Sequence, residues 1–163
     1  MNKIVYRTIG IIRTPFKNQE GMPIQPSGAQ GICGSILIAP EYLDGLKDLD
    51  GFSHVILIYH FHLAGGFTLT VTPFLDDQPR GVFATRAPRR PNAIGLSVVK
   101  LKAIKGNRLD VENVDIIDKT PLLDIKPYVP EFDAQIDVKT GWLAKTGKKV
   151  KQVKSDDRFA KAF

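Results

Sequence analysis

The sequence predicts a mainly β protein: a largely antiparallel barrel or sandwich with one or two short helices and a basic C-terminal tail. Three observations carry this. Runs of β-branched and aromatic residues recur along the chain, bounded by turns rich in Gly, Pro and Asn. Strand and helix patterns do not alternate regularly, and no G-x-G-x-x-G follows a strand, which disfavours a Rossmann domain. The 163 residues, 43% hydrophobic and 25% charged, suit one globular domain with a substantial core, so residues 1–163 are read as a single domain and 139–163 as its tail.

Each element follows from its residues. Val5–Thr14, VYRTIGIIRT, is rich in β-branched residues and reads as a strand that Pro15 ends. Lys17–Gln30 is polar and rich in Gly, Pro and Gln, a long loop of the kind that often binds a ligand. Gly31–Ile38 reads as a second strand, with Cys33 as a small buried residue in it. Pro40–Leu49 reads as a helix, since proline suits a first turn and Leu43, Leu46 and Leu49 recur three apart; Asp50-Gly51 breaks it.

Phe52–His62 is the clearest strand. Successive side chains point to opposite faces, so Val55, Leu57 and Tyr59 share one face and His54, His60 and His62 the other. Gly65-Gly66 turns the chain, Phe67–Val71 reads as a strand, and Thr72–Arg80, with Pro73 and Pro79, as a loop. Gly95–Ile104 and Arg108–Ile116 pair through the turn Lys105-Gly106-Asn107. Leu122–Ile125 is a short strand before Pro127 and Pro130. Beyond Gly141, helix and coil signals are mixed.

Bulk properties narrow the function. Arg7 and Arg13 interrupt the apolar character of the N-terminus, so no signal peptide is expected, and no window reaches the roughly 20 apolar residues that span a bilayer. Cys33 is the only cysteine, which fits a reducing, cytoplasmic setting. The net charge is +6, and the segment from Lys139 to Phe163, with 8 Lys+Arg against 2 Asp+Glu, accounts for all of it. That segment reads either as a solvated tail or as a basic arm that meets phosphates.

Two segments invite chemistry. Thr85–Asn92, TRAPRRPN, sets three arginines in a loop that two prolines stiffen, and guanidinium forks suit phosphate or carboxylate. VDIIDKTPLLDIKPYVPEFD carries Asp115, Asp118, Asp124 and Asp133, and its Asp118–Pro121 turn offers oxygens for capping or for a ligand hydroxyl. His60 and His62 would stand about 7 Å apart on one strand face, which one metal ion could bridge. No C-x-x-C or H-E-x-x-H accompanies them, so packed or ligand-facing imidazoles are expected and no metal. No G-x-S-x-G elbow is present.

Five pieces of the chain occur in an order that resembles a known family: IGIIRTPF, the P-I-Q-P loop, GFSHVILIYHFH, GVFATRAPRRPNAIGLSVVKL and VDIIDKTPLLDIKPYVPEFD. They resemble the TrmO (TsaA-like, YaeB-like) tRNA methyltransferases, which use S-adenosyl-L-methionine. The resemblance implies a single-sheet antiparallel β-barrel acting as a homodimer on the tRNA anticodon arm. It implies methylation of N6 of threonylcarbamoyl-adenosine at position 37. By motif it implies a cofactor pocket of Pro23, Ile24, Gln25, His62, Leu63, Arg86, Leu96, Asp118, Lys119, Thr120 and Pro121. The family's P-R-Q is P-I-Q here and its F-H-Q is F-H-L, so at Ile24 and Leu63 backbone contacts carry over better than side-chain ones. Larger members carry a C-terminal extension, so the RNA-facing surface is expected to differ.

A sulfonium methyl group is already activated, so such an enzyme needs no covalent nucleophile; it positions donor and acceptor. Asp118, or another carboxylate near the pocket, is the expected proton acceptor. Arg89, Arg90, Lys148, Lys149 and Lys151 are the expected phosphate contacts. The competing readings are a binding module without methyl transfer, a methyltransferase with another acceptor, and a histidine metal protein.

Overall fold

The computed structural model describes residues 2–159. Six strands form the barrel: β1 (Gly10–Arg13), β2 (Cys33–Ile38), β3 (His54–His60), β6 (Ile94–Lys105), β7 (Arg108–Glu112) and β8 (Thr120–Pro127). Two short strands, β4 (Thr70–Val71) and β5 (Arg80–Gly81), pair in a separate sheet. The barrel order is β1-β2-β7-β6-β3-β8, and every pairing is antiparallel. Closure of β1 on β8, with Gly10 opposite Leu122 and Ile12 opposite Thr120, leaves no open edge and decides for the single-sheet barrel over the sandwich.

Strand alternation explains the core. Ile12, Ile36, Ile38, Val55, Leu57, Val99, Leu101, Leu109, Val111 and Leu122 are buried together, filling a small barrel with branched side chains. Val114 and Ile116, just past β7, belong to the same cluster. Register shifts occur in β3 between Ile58 and Tyr59, against β8, and in β6 between Leu101 and Ala103, against β7. Such bulges bend a strand and re-aim its side chains.

Several expectations need correction. Strand pairing begins only at Gly10, because Ile4, Val5 and Tyr6 are exposed. Pro40–Leu46 and Leu49–Gly51 are 3₁₀ helices rather than one α-helix. A leucine every third residue fits a 3₁₀ helix, whose side chains eclipse at i and i+3; Leu43, Leu46 and Leu49 accordingly pack on the core together. Phe67 and Leu69 are exposed and lie outside β4. Cys33 is exposed, since β2 turns Gly34, Ile36 and Ile38 to the opposite face. β7 stops at Glu112, and β8 already begins at Thr120. Among the described residues, α1 (Pro130–Asp133) is the one α-helical element.

The tail is neither solvated coil nor a free arm through residue 159. Trp142 Nε1 donates to the Ala84 carbonyl at 2.9 Å, and Arg80 lies over the Trp142 ring. The Ser155 amide donates to Met22 O, and the Gly21 amide to Ser155 O, both at 2.9 Å. Arg158 Nη1 donates to Pro73 O at 2.8 Å, and Phe159 packs with Val71, Val82 and Ala87, edge-on to Phe74. The segment's apolar residues, together with Ser155 and Arg158, seat it on the barrel loops. No helix of the described residues is long and apolar enough to cross a membrane.

Candidate functional site

A cavity of about 1370 Å³ lies where β3, β6 and the chain leading into β8 meet the loop before β2, the arginine loop and the tail. Small-molecule sites usually measure about 300–1,000 Å³, so this one has room for a cofactor and part of a second molecule. Its lining is mainly apolar, with a few polar groups, among them Gln25, His62, Arg86 and Asp115.

The structure brings most of the sequence-predicted pocket together. Pro23, Ile24, Gln25, His62, Leu63, Arg86, Leu96 and Thr120 line the cavity; Asp118, Lys119 and Pro121 do not. Gln25 precedes a 3₁₀ turn, Pro26–Gly28, that packs against another in the tail, Gly147–Lys151. Opposite it, Arg86 Nη1 donates to Gln25 Oε1 at 2.9 Å. Leu96 is on the outward face of β6, opposite Ile58.

The arginine loop uses its three guanidinium groups differently. Arg86 is exposed. Arg90 Nη1 donates to the carbonyls of Thr85 and Ala87, at 3.1 and 3.3 Å, and so braces the loop from within. Arg89 is only 5% exposed. Proline-bent backbone leaves carbonyls that the ladder cannot satisfy, and in this loop the Arg90 guanidinium meets that need. Arg89, expected as a phosphate contact, thus lies in the interior, and Arg90 serves the loop first. Lys149 and Lys151 are exposed in the Gly147–Lys151 turn; the Lys148 side chain lies outside what is described.

Beside the cavity runs a hydrogen-bonded chain that the sequence reading did not single out. Ser97 Oγ donates to Asp115 Oδ1 at 2.7 Å, and Tyr59 Oη lies 3.0 Å from Ser97 Oγ. A serine hydroxyl has one proton, so Tyr59 is the donor to Ser97. Burial pushes the Asp115 carboxyl up, and although Ser97, its own amide and Arg86 pull it back, it rests at about 6. Burial, with the Asp115 charge, also raises the Tyr59 phenol, so it stays protonated. Gly95 makes the arrangement possible: it sits opposite Tyr59, and a Cβ there would overlap the tyrosine ring and come within 2.9 Å of Phe61 Cζ. The readable signals were Asp115 in the acidic segment and Tyr59 in the strand alternation; their meeting depends on barrel pairing.

His62 and Asp118 divide differently from expectation. Thr120 Oγ1 donates to Ile117 O at 2.8 Å, so the His62 Nδ1 atom, 3.2 Å from Thr120 Oγ1, carries the proton between them. Burial, and then the charge of His60, lower the His62 pKa. The neutral ring keeps Nε2 as an acceptor. Asp118 lines a second, smaller cavity with Arg13, Lys17 and Cys33. Its carboxylate accepts from Lys17 Nζ at 2.7 Å and from the Thr14 amide at 3.1 Å, with Arg13 Nε at 3.2 Å. Burial opposes its ionisation, but these partners outweigh it and hold the pKa below the ordinary value. A carboxylate so stabilised and so placed is a poor proton acceptor for the large cavity. Among the described residues, no group of three or more His, Cys, Asp or Glu could hold a metal ion.

Comparison with known proteins bears on this geometry. The family described as tRNA-methyltransferase O N-terminal domain matches residues 11–134. A protein of Pyrococcus abyssi named as a probable S-adenosyl-L-methionine-binding protein is 54% identical over 156 residues, 96% of this chain and 85% of that one. The tRNA (adenine(37)-N6)-methyltransferase of Escherichia coli is 39% identical over 140 residues, 80% of this chain and 60% of its own length. The crystal structure of TrmO from Pseudomonas aeruginosa superposes with a TM-score of 0.72 at 39% identity, covering 87% of this chain. The present chain spans 63% of that solved chain.

Proposed function

The chain belongs to the tRNA-methyltransferase O N-terminal domain family, and from that premise we propose that it is an S-adenosyl-L-methionine-dependent tRNA methyltransferase. In this reading it methylates N6 of threonylcarbamoyl-adenosine at position 37, acts as a homodimer, and works in the cytoplasm. One observation carries the reading: motif residues from separate parts of the sequence converge on a single cavity large enough for a nucleoside cofactor and an extruded base.

The residues present fit the cofactor. Pro23, Ile24 and Leu96 offer apolar surface to an adenine ring, Arg86 and Gln25 offer a fixed donor and acceptor, and His62 Nε2 offers an acceptor. When bound, the cofactor supplies a methyl group activated by its positive sulfur. The chain's own residues then hold the acceptor base in line and exclude water. The tail wall, with Trp142 and Phe159 in the lining, and the exposed Phe83 at the rim give aromatic surface on which a nucleobase can stack. Lys149 and Lys151, as exposed cations, are the proposed phosphate contacts on the anticodon arm. The domain proposal keeps 1–163 together, because the tail to residue 159 packs on the barrel loops.

Incubation with radiolabelled cofactor and with tRNA that does or does not carry threonylcarbamoyl-adenosine tests the reading, with the product identified by nucleoside mass spectrometry. Label in N6-methylated threonylcarbamoyl-adenosine supports it, and label elsewhere redirects the acceptor. The name of the Pyrococcus abyssi relative extends only to binding, which favours the binding module as second reading. Cofactor binding without label on any tRNA would select it.

A further inference from the structure

We propose that Asp115 takes the proton that leaves the acceptor nitrogen, with Ser97 and Tyr59 as its positioning residues. The inference rests on the methyltransferase reading above and goes beyond it by assigning the base. The acceptor nitrogen is bonded both to a purine ring and to a carbamoyl carbon, so its lone pair is delocalised and its proton must leave as it becomes a nucleophile. In the step, the N–CH₃ bond forms as the S–CH₃ bond breaks. The bonding pair stays on sulfur, which becomes neutral, and the N–H proton passes to a carboxylate oxygen of Asp115 and from there to water.

Three observations converge on this residue. Asp115 is the one carboxylate among the described residues that line the large cavity. Its orientation is fixed by the Tyr59–Ser97–Asp115 chain, in which each hydroxyl hands its proton towards the carboxylate; such a network holds a base in one rotamer. Its surroundings also raise it to about 6, close to neutrality, where a base is both ionised and basic enough to act. The other titratable groups at the cavity are Tyr59, which burial keeps protonated, His62, Arg86 and Arg90. Arginine stays charged and accepts nothing. His62 is the rival, because its Nε2 is an acceptor. Its Nδ1 is held by the Thr120 hydroxyl rather than by a carboxylate, and burial and His60 lower its basicity. Asp118, another acid of the motif, is held by Lys17, Arg13 and the Thr14 amide outside this cavity.

The test combines Asp115→Asn, Ser97→Ala and His62→Asn in the full chain with three readouts. These are cofactor affinity, the pH profile of methyl transfer to tRNA, and ¹³C NMR titration of the Asp115 carboxyl in cofactor-free protein. Asp115→Asn is expected to bind cofactor within threefold of wild type and to lose about 100-fold or more in transfer rate. Wild type should show an acidic limb near pH 6 that coincides with the NMR titration. Ser97→Ala removes a hydrogen bond to the carboxylate, so both the titration and the limb should move together to higher pH. Transfer by Asp115→Asn within threefold of wild type overturns the proposal. So does a limb that persists in Asp115→Asn and vanishes in His62→Asn, or an Asp115 titration at the ordinary aspartate value. No transfer to any tRNA by wild type overturns the methyltransferase reading, and this assignment with it; an active wild type with an equally active Asp115→Asn overturns the assignment alone.

Discussion

Arg86 Nη1 and Gln25 Oε1 meet at 2.9 Å across 61 positions of sequence. The contact joins the arginine loop to the loop before β2 at the edge of the cavity. Because Arg86 is exposed, its replacement should spare the fold. Arg86→Lys keeps the charge but loses the planar fork. We expect S-adenosylmethionine affinity to fall about tenfold, in keeping with a charged hydrogen bond of roughly 1.5 kcal/mol, and Tm to stay put. Calorimetric titration beside a thermal melt checks both; an unchanged affinity would remove Arg86 from the binding set.

Why was this pair legible and the Tyr59–Ser97–Asp115 chain not? Gln25 and Arg86 both sit in motifs whose residue types announce recognition. Tyr59 read only as sharing a strand face with Val55 and Leu57, the face that proves buried; nothing local indicated that its hydroxyl would meet Ser97 of β6. That meeting follows from the β3–β6 register, with Tyr59 opposite Gly95. The barrel strands were readable by alternation, whereas β1 and β4 were overestimated because β-branched runs without a pairing partner stay unpaired. Cys33 was misread because the sequence did not reveal which face of β2 points inward. The tail's charge drew the reading outward, yet Trp142, Leu143, Val150 and Phe159 are among the tail residues that line the cavity.

The glycine opposite Tyr59 gives a sharp test of that register. A methyl group at position 95 cannot coexist with the tyrosine ring as placed. Gly95→Ala should destabilise the protein by about 1–3 kcal/mol through overpacking and displace Tyr59 from Ser97. Urea unfolding measures the first effect, and a shifted Tyr59 ring resonance the second. A variant of wild-type stability would mean that β6 can slide away from β3 at no cost.

The tail should matter for the cavity as well as for RNA binding. Phe159 fills the cluster of Val71, Val82 and Ala87. Phe159→Ala is expected to cost about 2–3 kcal/mol, at or below the lower end for buried phenylalanine, or roughly 5–10 °C in Tm for a chain of this size. Removal of residues 141–163 should abolish cofactor binding, since one wall of the cavity goes with it. Retention of cofactor affinity by the truncated chain would show that the tail is only a cover.

Asp118 should reveal itself in stability rather than turnover. Its folded pKa lies below the unfolded value, so the unfolded chain binds the proton more tightly. The stabilisation is therefore present above the unfolded pKa, about 3.9, and is lost as pH falls through the lower folded value. Asp118→Asn is expected to cost about 1–3 kcal/mol at pH 7, with a difference from wild type that shrinks in strong acid, while methyl transfer stays within a few-fold. A hundredfold loss of transfer with unchanged Tm would return Asp118 to the chemistry.

Asp115 has the opposite sign. Its folded pKa, about 6, stands above the unfolded aspartate value, so between roughly pH 4 and 6 the native state binds the proton more tightly. Stability then falls as pH rises through this window, and above pH 6 the native state carries the full cost of an ionised, largely buried carboxylate. Asn is close in shape and neutral, and its side-chain oxygen can still accept from Ser97. Asp115→Asn should accordingly be at least as stable as wild type at pH 8, while the advantage disappears at pH 4, where wild-type Asp115 is already protonated. Scanning calorimetry at the two pH values decides it. A stability difference that is the same at both would mean that Asp115 does not titrate in this window, and the acidic limb of methyl transfer would have to come from His62 or from the substrate.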